Sequence, residues 1–233
     1  MQFIIGRICI LIKEDPQIEE IKPPLHESIY VKLRQSLARG ELAPGQALSL
    51  RNLASSFGGS VTPVRDAVWR LTAEYALHIG PTRRISVPQL KKTEIRELLR
   101  VRALLEPEAA GIAIKNISAS TIEKMRIADE NMNHAVRNGD VAQYMACNHD
   151  FHFHLYRASG SSVLVPMIEA LWVRFGPFMR HAYPDVSGMH GVEDHHAEAL
   201  SALKRGDDFG LKRAIAADVN DGLKFLLHDL GEN

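Results

Sequence analysis

Apolar residues recur at helical spacing along most of this chain. From Leu25 to Ala38, Ile29, Leu33 and Leu37 stand four apart, which predicts an amphipathic helix that stops at Gly40. Ala43-Pro44-Gly45 reads as a turn. Ser49 offers a cap for a helix over Leu50–Phe57, and Ser60, after Gly58-Gly59, for one over Val61–Glu74. Pro63 falls in the first turn of that helix, where proline is tolerated. Two short β-like runs, Ala76–Ile79 and Arg84–Pro88, are joined by Gly80-Pro81-Thr82. Helix, helix, turn, helix and hairpin is the plan of a winged helix-turn-helix.

Beyond a linker at Ser86–Thr93 the pattern contains no convincing strand. Helices are expected over Lys91–Lys115, Ser118–Asn138, Asp140–Ser159, Ser161–Tyr183, Gly191–Arg205 and Asp207–His228. Pro107 should kink or split the first of them. The joints Asn138-Gly139-Asp140 and Arg205-Gly206-Asp207 match: each has Gly to end one helix and Asp to cap the next. Six helices with short links predict an antiparallel all-α bundle. The expected fold is mainly α, a winged helix-turn-helix followed by that bundle.

Charge refines this division. The 233 residues carry 28 Lys+Arg and 28 Asp+Glu, a formal net charge of zero. Residues 22–90, however, hold nine basic and four acidic side chains, while residues from 91 onward hold 17 and 20. Seven of the eleven His lie between His149 and His196. A basic front half and a His-rich rear half imply different partners. Cys9 and Cys147 form no disulfide framework, which fits a reducing cytoplasm and excludes a stapled secreted domain. No apolar run reaches the roughly 18 residues of a membrane span. The longest, Phe3–Ile12, is broken by Arg7, and residues 1–20 read as a poorly ordered lead-in or as lying ahead of the true start.

In the front half, Ser60-Val61-Thr62-Pro63-Val64-Arg65 opens the third helix, whose N-terminal residues a winged helix presents to the major groove. Ser60 and Thr62 can bond phosphates or base edges, and Arg65 can meet guanine or phosphate. Arg51 opens the preceding helix, and Arg83 and Arg84 stand at the wing tip. The plainer alternative is a solvated helix face with scattered arginines. Leu33-Arg34, Gly40-Glu41-Leu42-Ala43-Pro44-Gly45, Leu53-Ala54, Thr62-Pro63-Val64-Arg65-Asp66-Ala67 and Arg70-Leu71 resemble the DNA-binding domain of the GntR family of bacterial transcription regulators. The resemblance covers about 25–88 and implies that Arg51, Thr62 and Arg65 contact operator DNA. The family commonly has Arg in place of Val61 and Gly in place of Arg84.

In the rear half, polar residues interrupt apolar stripes. Asn148 and His152 share a face with Val141, Tyr144, Met145, Leu155 and Tyr156. His196 lies among Val192, Ala199, Leu200 and Leu203, and Asp218 among Leu211, Ala214, Ile215, Gly222 and Phe225. Arg102 lies among Ile95, Leu98, Leu105 and Ala109. Buried polar groups are unfavourable unless paired, so these should meet in one pocket. Asn148, His152, His196 and Asp218 suit a divalent zinc, nickel or manganese ion; the plainer alternative is satisfied core histidines. Asp150 and His154 form a rival register on a more solvated stripe, and His149 and His195 fall beside the site.

Arg102 to Glu106, Asn148 to Gly160 and His196 before Gly206-Asp207 are similar to the FCD ligand-binding domain of the FadR-like GntR branch. That resemblance spans about 92–228. It implies an all-α bundle that often holds a metal through one Asp and three His, and that binds small carboxylate effectors. Here Asn148 stands at the usual Asp and Asp218 at the usual last His. Arg102, and less directly Arg174, would meet the effector carboxylate. The expected division is a DNA-binding domain over 21–90 and an effector- and metal-binding domain over 91–233. The expected activity is that of a cytoplasmic, homodimeric regulator binding double-stranded operator DNA under control of a small organic acid. It is not expected to be an enzyme or to engage a membrane. A metal-sensing regulator and a metal-dependent hydrolase are the alternatives.

Overall fold

A computed structural model describes residues 24–182 and 195–229. The lead-in over 1–20 lies outside the described residues, as do Tyr183 and Gly191–Asp194, expected at the ends of two rear helices.

The front part opens with α1 (Leu25–Ala38), which buries Ile29, Tyr30, Leu33 and Leu37 on one face. Strand β1 (Ala47–Leu48) leads into α2 (Leu50–Ser56), where the Ser49 side chain accepts from the Asn52 amide. Helix α3 (Val61–Ala73) turns Val64, Ala67, Val68 and Leu71 inward, and both α1 and α2 pack against it. Strands β2 (His78–Ile79) and β3 (Ile85–Ser86) form the wing. The sheet has order β1-β3-β2, antiparallel throughout, with Leu48 and Ile79 both opposite Ile85. The third strand is a correction to the expected two-stranded hairpin. Two residues are too few to show a period, and β1 is fixed by its partner β3 rather than by its own pattern.

The rear part comprises α4 (Lys92–Ala113), α5 (Ala119–Asn138), α6 (Val141–Ala158), α7 (Leu164–Ala182), α8 (His195–Arg205) and α9 (Asp208–Asp229). Helix α4 begins where Glu94 accepts from the Lys91 amide, and it continues unbroken through Pro107. Of the two outcomes expected at Pro107, a kink or a split, the split does not occur. Pro107 is buried, and α4 packs against α9, α6 and α7. Both Gly-Asp joints form as read. Gly139 and Gly206 take φ of +66° and +67°, Asp140 accepts from the Gln143 amide, and Asp207 from the Gly210 amide.

The two parts share one continuous core. Helix α1 has one face on α3 and another on α7. A Cβ on Gly176 of α7 would lie 2.3 Å from the Leu37 carbonyl oxygen and 2.5 Å from that of Ala38, so only glycine permits this approach. Arg34 reaches Glu169 on α7 at 2.8 Å, and Arg39 reaches Asp150 on α6 at 2.7 Å, both from α1 and its end. No helix among the described residues is long and apolar enough to cross a membrane.

Candidate functional site

Two surfaces gather the residues singled out in the sequence. The first is the outer side of α3 and the wing. Because α3 buries its 64, 67, 68 and 71 positions, Thr62 and Arg65 face outward and are exposed. Ser60 occupies the cap position of α3, but its side chain makes no capping bond, so the expected capping role does not hold. Arg51, on the first turn of α2, is exposed as well. Arg83 sits at the wing turn with φ of +59°, its amide bonded to the Gly80 carbonyl, and Arg83 and Arg84 are both exposed. The face is therefore cationic and presents hydroxyls beside its arginines.

The second is inside the bundle. His152 from α6, His196 from α8 and Asp218 from α9 converge, each offering one ligand atom within 4.8 Å of the others. His152 Nε2 stands 3.2 Å from Asp218 Oδ2 and 3.3 Å from His196 Nε2, which is 3.5 Å from Asp218 Oδ1. Two donors on a tetrahedral zinc, each bonded at about 2.0–2.1 Å, stand about 3.3–3.4 Å apart, so the observed spacing fits such an ion. Asn148 is buried one turn before His152 on α6. Among the described residues, no other group of three or more His, Cys, Asp or Glu has this spacing.

The surroundings fix the state of these groups. Tyr156 Oη donates to Glu106 at 2.7 Å, and burial, with Glu106 beside it, pushes the Tyr156 phenol far above its ordinary pKa. With its proton spent on Glu106, the Tyr156 oxygen can only accept from His152 Nδ1, 3.0 Å away. That tautomer of His152 would offer the Nε2 lone pair to a metal ion, whereas in the ion pair with Asp218 it is an Nε2–H that faces the carboxylate. Burial works against the Asp218 charge, but His196, His152 and Arg102 hold its carboxyl well below the ordinary range. It is a carboxylate at neutral pH. Asp129 of α5 lies 3.9 Å from His196 Nδ1, behind the ring.

Glu106 enters the sequence reading only as part of the Arg102–Glu106 stretch, with no role of its own, yet it organises this region. It is fully buried and accepts from Arg102 Nε at 2.6 Å, Arg102 Nη2 at 3.3 Å, Tyr156 and, at 2.9 Å, Trp172 Nε1. Arg102, expected to meet the effector carboxylate, is drawn into this network. Its guanidinium is 3% exposed, lies over Trp172 and Phe175, and commits two donors to Glu106. A buried guanidinium needs a carboxylate beside it, and Glu106, four residues along the same helix, supplies one. The i, i+4 spacing was the available signal.

Arg174, the second residue expected to meet an effector, lines a different cavity. It projects over Tyr75 at 5.7 Å and lines a cleft of about 630 Å³ with Arg84, Leu77 and Glu94, between the wing and the bundle. His149 and His195 stand apart from the metal-ligand group as expected, but both are buried. His149 stacks on Phe153, and His195 bonds Asp221 at 2.9 Å. In the rival register, Asp150 binds Arg39 and His149, and His154 lines a shallow groove with Lys124 and Cys147.

Comparison with known proteins agrees with this arrangement. Residues 25–87 match the family described as bacterial regulatory proteins, gntR family, and residues 97–221 match the FCD domain. The chain is 32% identical over 197 residues to the HTH-type transcriptional regulator McbR of Escherichia coli strain K12, covering 83% of this chain and 89% of McbR. It is 28% identical over 199 residues to a probable D-xylose utilization operon transcriptional repressor of Paenarthrobacter nicotinovorans, covering 84% and 85%. The solved structure of E. coli McbR/YncC superposes with a TM-score of 0.85 at 29% identity, covering 90% of this chain and all of that one.

Proposed function

The chain belongs to the GntR family of DNA-binding bacterial transcription regulators, with an FCD domain behind its winged helix, and on that premise we propose that it is a ligand-responsive homodimer of the cytoplasm. Its relatives are regulators rather than enzymes. The DNA-binding unit is assigned to 21–90 and the effector unit to 91–233. Ser60, Thr62 and Arg65 would enter the major groove of operator DNA, with Arg51, Arg83 and Arg84 on its backbone. Two such units, related by a two-fold axis, would read an inverted repeat.

The convergence of His152, His196 and Asp218 from three helices carries the effector half of this reading. With Asn148 they would hold a zinc, nickel or manganese ion. Such an ion supplies a Lewis-acid centre for the carboxylate of a small organic acid. Arg102 contributes through charge near Asp218, its fork being committed to Glu106. The site and the DNA-binding unit are joined through α6 and α7. Helix α6 carries His152 on one side and Asp150 towards Arg39 on the other, while α7 brings Trp172 to His152 and Glu169 and Gly176 to α1. A coupling of about 1–3 kcal/mol through this seam is enough for regulation.

The test begins with duplexes selected by this protein from a random-sequence pool. Arg65→Ala should weaken binding to the selected duplex at least tenfold and leave the fold intact. Parent protein is then dialysed against zinc, nickel or manganese, and duplex affinity is measured with and without a panel of di- and tricarboxylic acids. A shift that needs both ion and acid supports the reading. A shift produced by ion alone makes the metal the signal. No metal uptake by any of the three refutes the site.

A further inference from the structure

The outer face of α3 holds more than Thr62 and Arg65. Trp69, seven residues after Thr62 and four after Arg65, lies on the same side of the helix and is 63% exposed. No ring contact or hydrogen bond holds its indole among the described residues. Arg70, its neighbour, is by contrast built into the fold. It reaches Glu27 at 2.7 Å and lies 3.6 Å over the Tyr30 ring, so it is not available to a ligand. The residues of α3 that remain outward are Thr62, Arg65, Asp66, Trp69 and, at its last turn, Ala73.

An indole left in water on a helix otherwise lined by polar groups needs a partner that covers it. At 1.5 Å per residue, Trp69 stands about 10 Å along the axis from Thr62, within the roughly 12 Å width of a major groove. A second copy of the chain fits the position less well. A two-fold contact centred on Trp69 would bring the two Arg65 guanidinium groups, one turn away, towards each other. A duplex instead offers phosphates to Arg65 and apolar sugar and thymine-methyl surface to the indole.

We propose that Trp69 is a DNA-contacting residue of α3. Its ring packs against deoxyribose and thymine methyl at the edge of the major groove, and its Nε1–H donates to a phosphate oxygen. This rests on the reading of α3 as the helix that meets the duplex. The contact is uncharged, so it strengthens binding without adding to the release of counterions. It also favours a thymine beneath the indole, which makes Trp69 a determinant of the preferred sequence.

The chain supplies its own probe, because it has two tryptophans and the other, Trp172, is 1% exposed. Acrylamide quenching of intrinsic fluorescence is measured on the full-length protein with no DNA, with a selected duplex at saturation, and with a random-sequence duplex of equal length. Binding is followed separately by anisotropy of labelled duplex. Without DNA, one of the two tryptophans should be open to the quencher, and saturation with selected duplex should shield it. Trp69→Phe should remove the DNA-dependent change. Trp69→Ala should weaken binding to selected duplex about tenfold or more, with the slope of log affinity against log salt unchanged. Trp69→Phe should fall between the two, since it keeps apolar surface and loses the donor.

Binding of selected duplex with Trp69 still fully open to acrylamide overturns the proposal and leaves the regulator reading standing. Shielding in the absence of DNA that grows with protein concentration assigns the indole to a second copy instead. A protein that selects no duplex from the pool overturns both readings together.

Discussion

Replacing Glu106 by Gln tests whether the buried charges of the bundle are held as one unit. The carboxylate is fully buried and receives four hydrogen bonds from three side chains. The amide that replaces it keeps one acceptor and turns an NH2 towards existing donors. More importantly, it leaves the Arg102 guanidinium, 3% exposed, without a countercharge. Burial alone would lower the Arg102 pKa, but Glu106 beside it raises it, so the arginine cannot relieve the loss by giving up its proton. Removing one partner of a buried pair costs about 3–5 kcal/mol. For a chain of this length that is a fall in Tm of roughly 6–20 °C, at about 2–4 °C per kcal/mol. Adding Arg102→Met removes the stranded charge and offers an unbranched chain to pack against Trp172 and Phe175. The double variant should recover at least about 2 kcal/mol of what the single one loses. Urea unfolding followed by far-UV circular dichroism, in chelator and again with zinc, measures both. A single variant within about 1 kcal/mol of the parent, or a double variant no more stable than the single, would refute the paired-charge account.

Three further outcomes are expected. His152→Ala should lose bound zinc by elemental analysis, whereas His154→Ala should retain it; the reverse would place the site in the other register of α6. Gly176→Ala puts a methyl group against the Leu37 and Ala38 carbonyls and should destabilise by about 1–3 kcal/mol while leaving zinc uptake intact. An unchanged Tm would show that α1 does not rest there. Partial burial raises the Glu169 pKa, but bonds from Arg34 and Arg157 hold it below the ordinary value. Its contribution is then present above about pH 4.3 and lost as pH falls through the folded-state value. Glu169→Gln should cost about 1–2 kcal/mol at pH 7 and progressively less below pH 4, and a gap that stays constant down to pH 3 would contradict this.

Long periodic segments made most of the architecture legible before any coordinates. The stripe of Ile29, Leu33 and Leu37, the Gly-Asp joints and the inward phase of His152, His196 and Asp218 all follow from local spacing, and the structure shows each of them. What escaped depends on partners distant in sequence. β1 is two residues that exist only beside β3, and Pro107 stands in an unbroken α4 that packs against three other helices. A cation on an apolar face, as Arg102 is in the sequence, carries no sign of the partner that will meet it. Arg102 has that partner in Glu106, and Arg174 points to the wing cleft, a surface that does not exist until the two halves pack. Glu106 itself is unremarkable in the pattern, since one carboxylate among many carries no sign that Tyr156 and Trp172, 50 and 66 residues away, will converge on it.

The dual packing of α1 changes what the linker between the halves is for. With one face on α3 and the other on α7, α1 is a beam spanning both, and the short stretch from Val87 to Lys91 is a tether beside it rather than the joint. A displacement of α7 would therefore meet α3 through a helix of 14 residues rather than through the tether. Cleavage of the tether by a protease should therefore leave the two pieces associated on a gel-filtration column. In a regulator organised in this way, inserting flexible residues in the tether would leave signalling largely intact, whereas roughening the glycine contact between α1 and α7 would uncouple it.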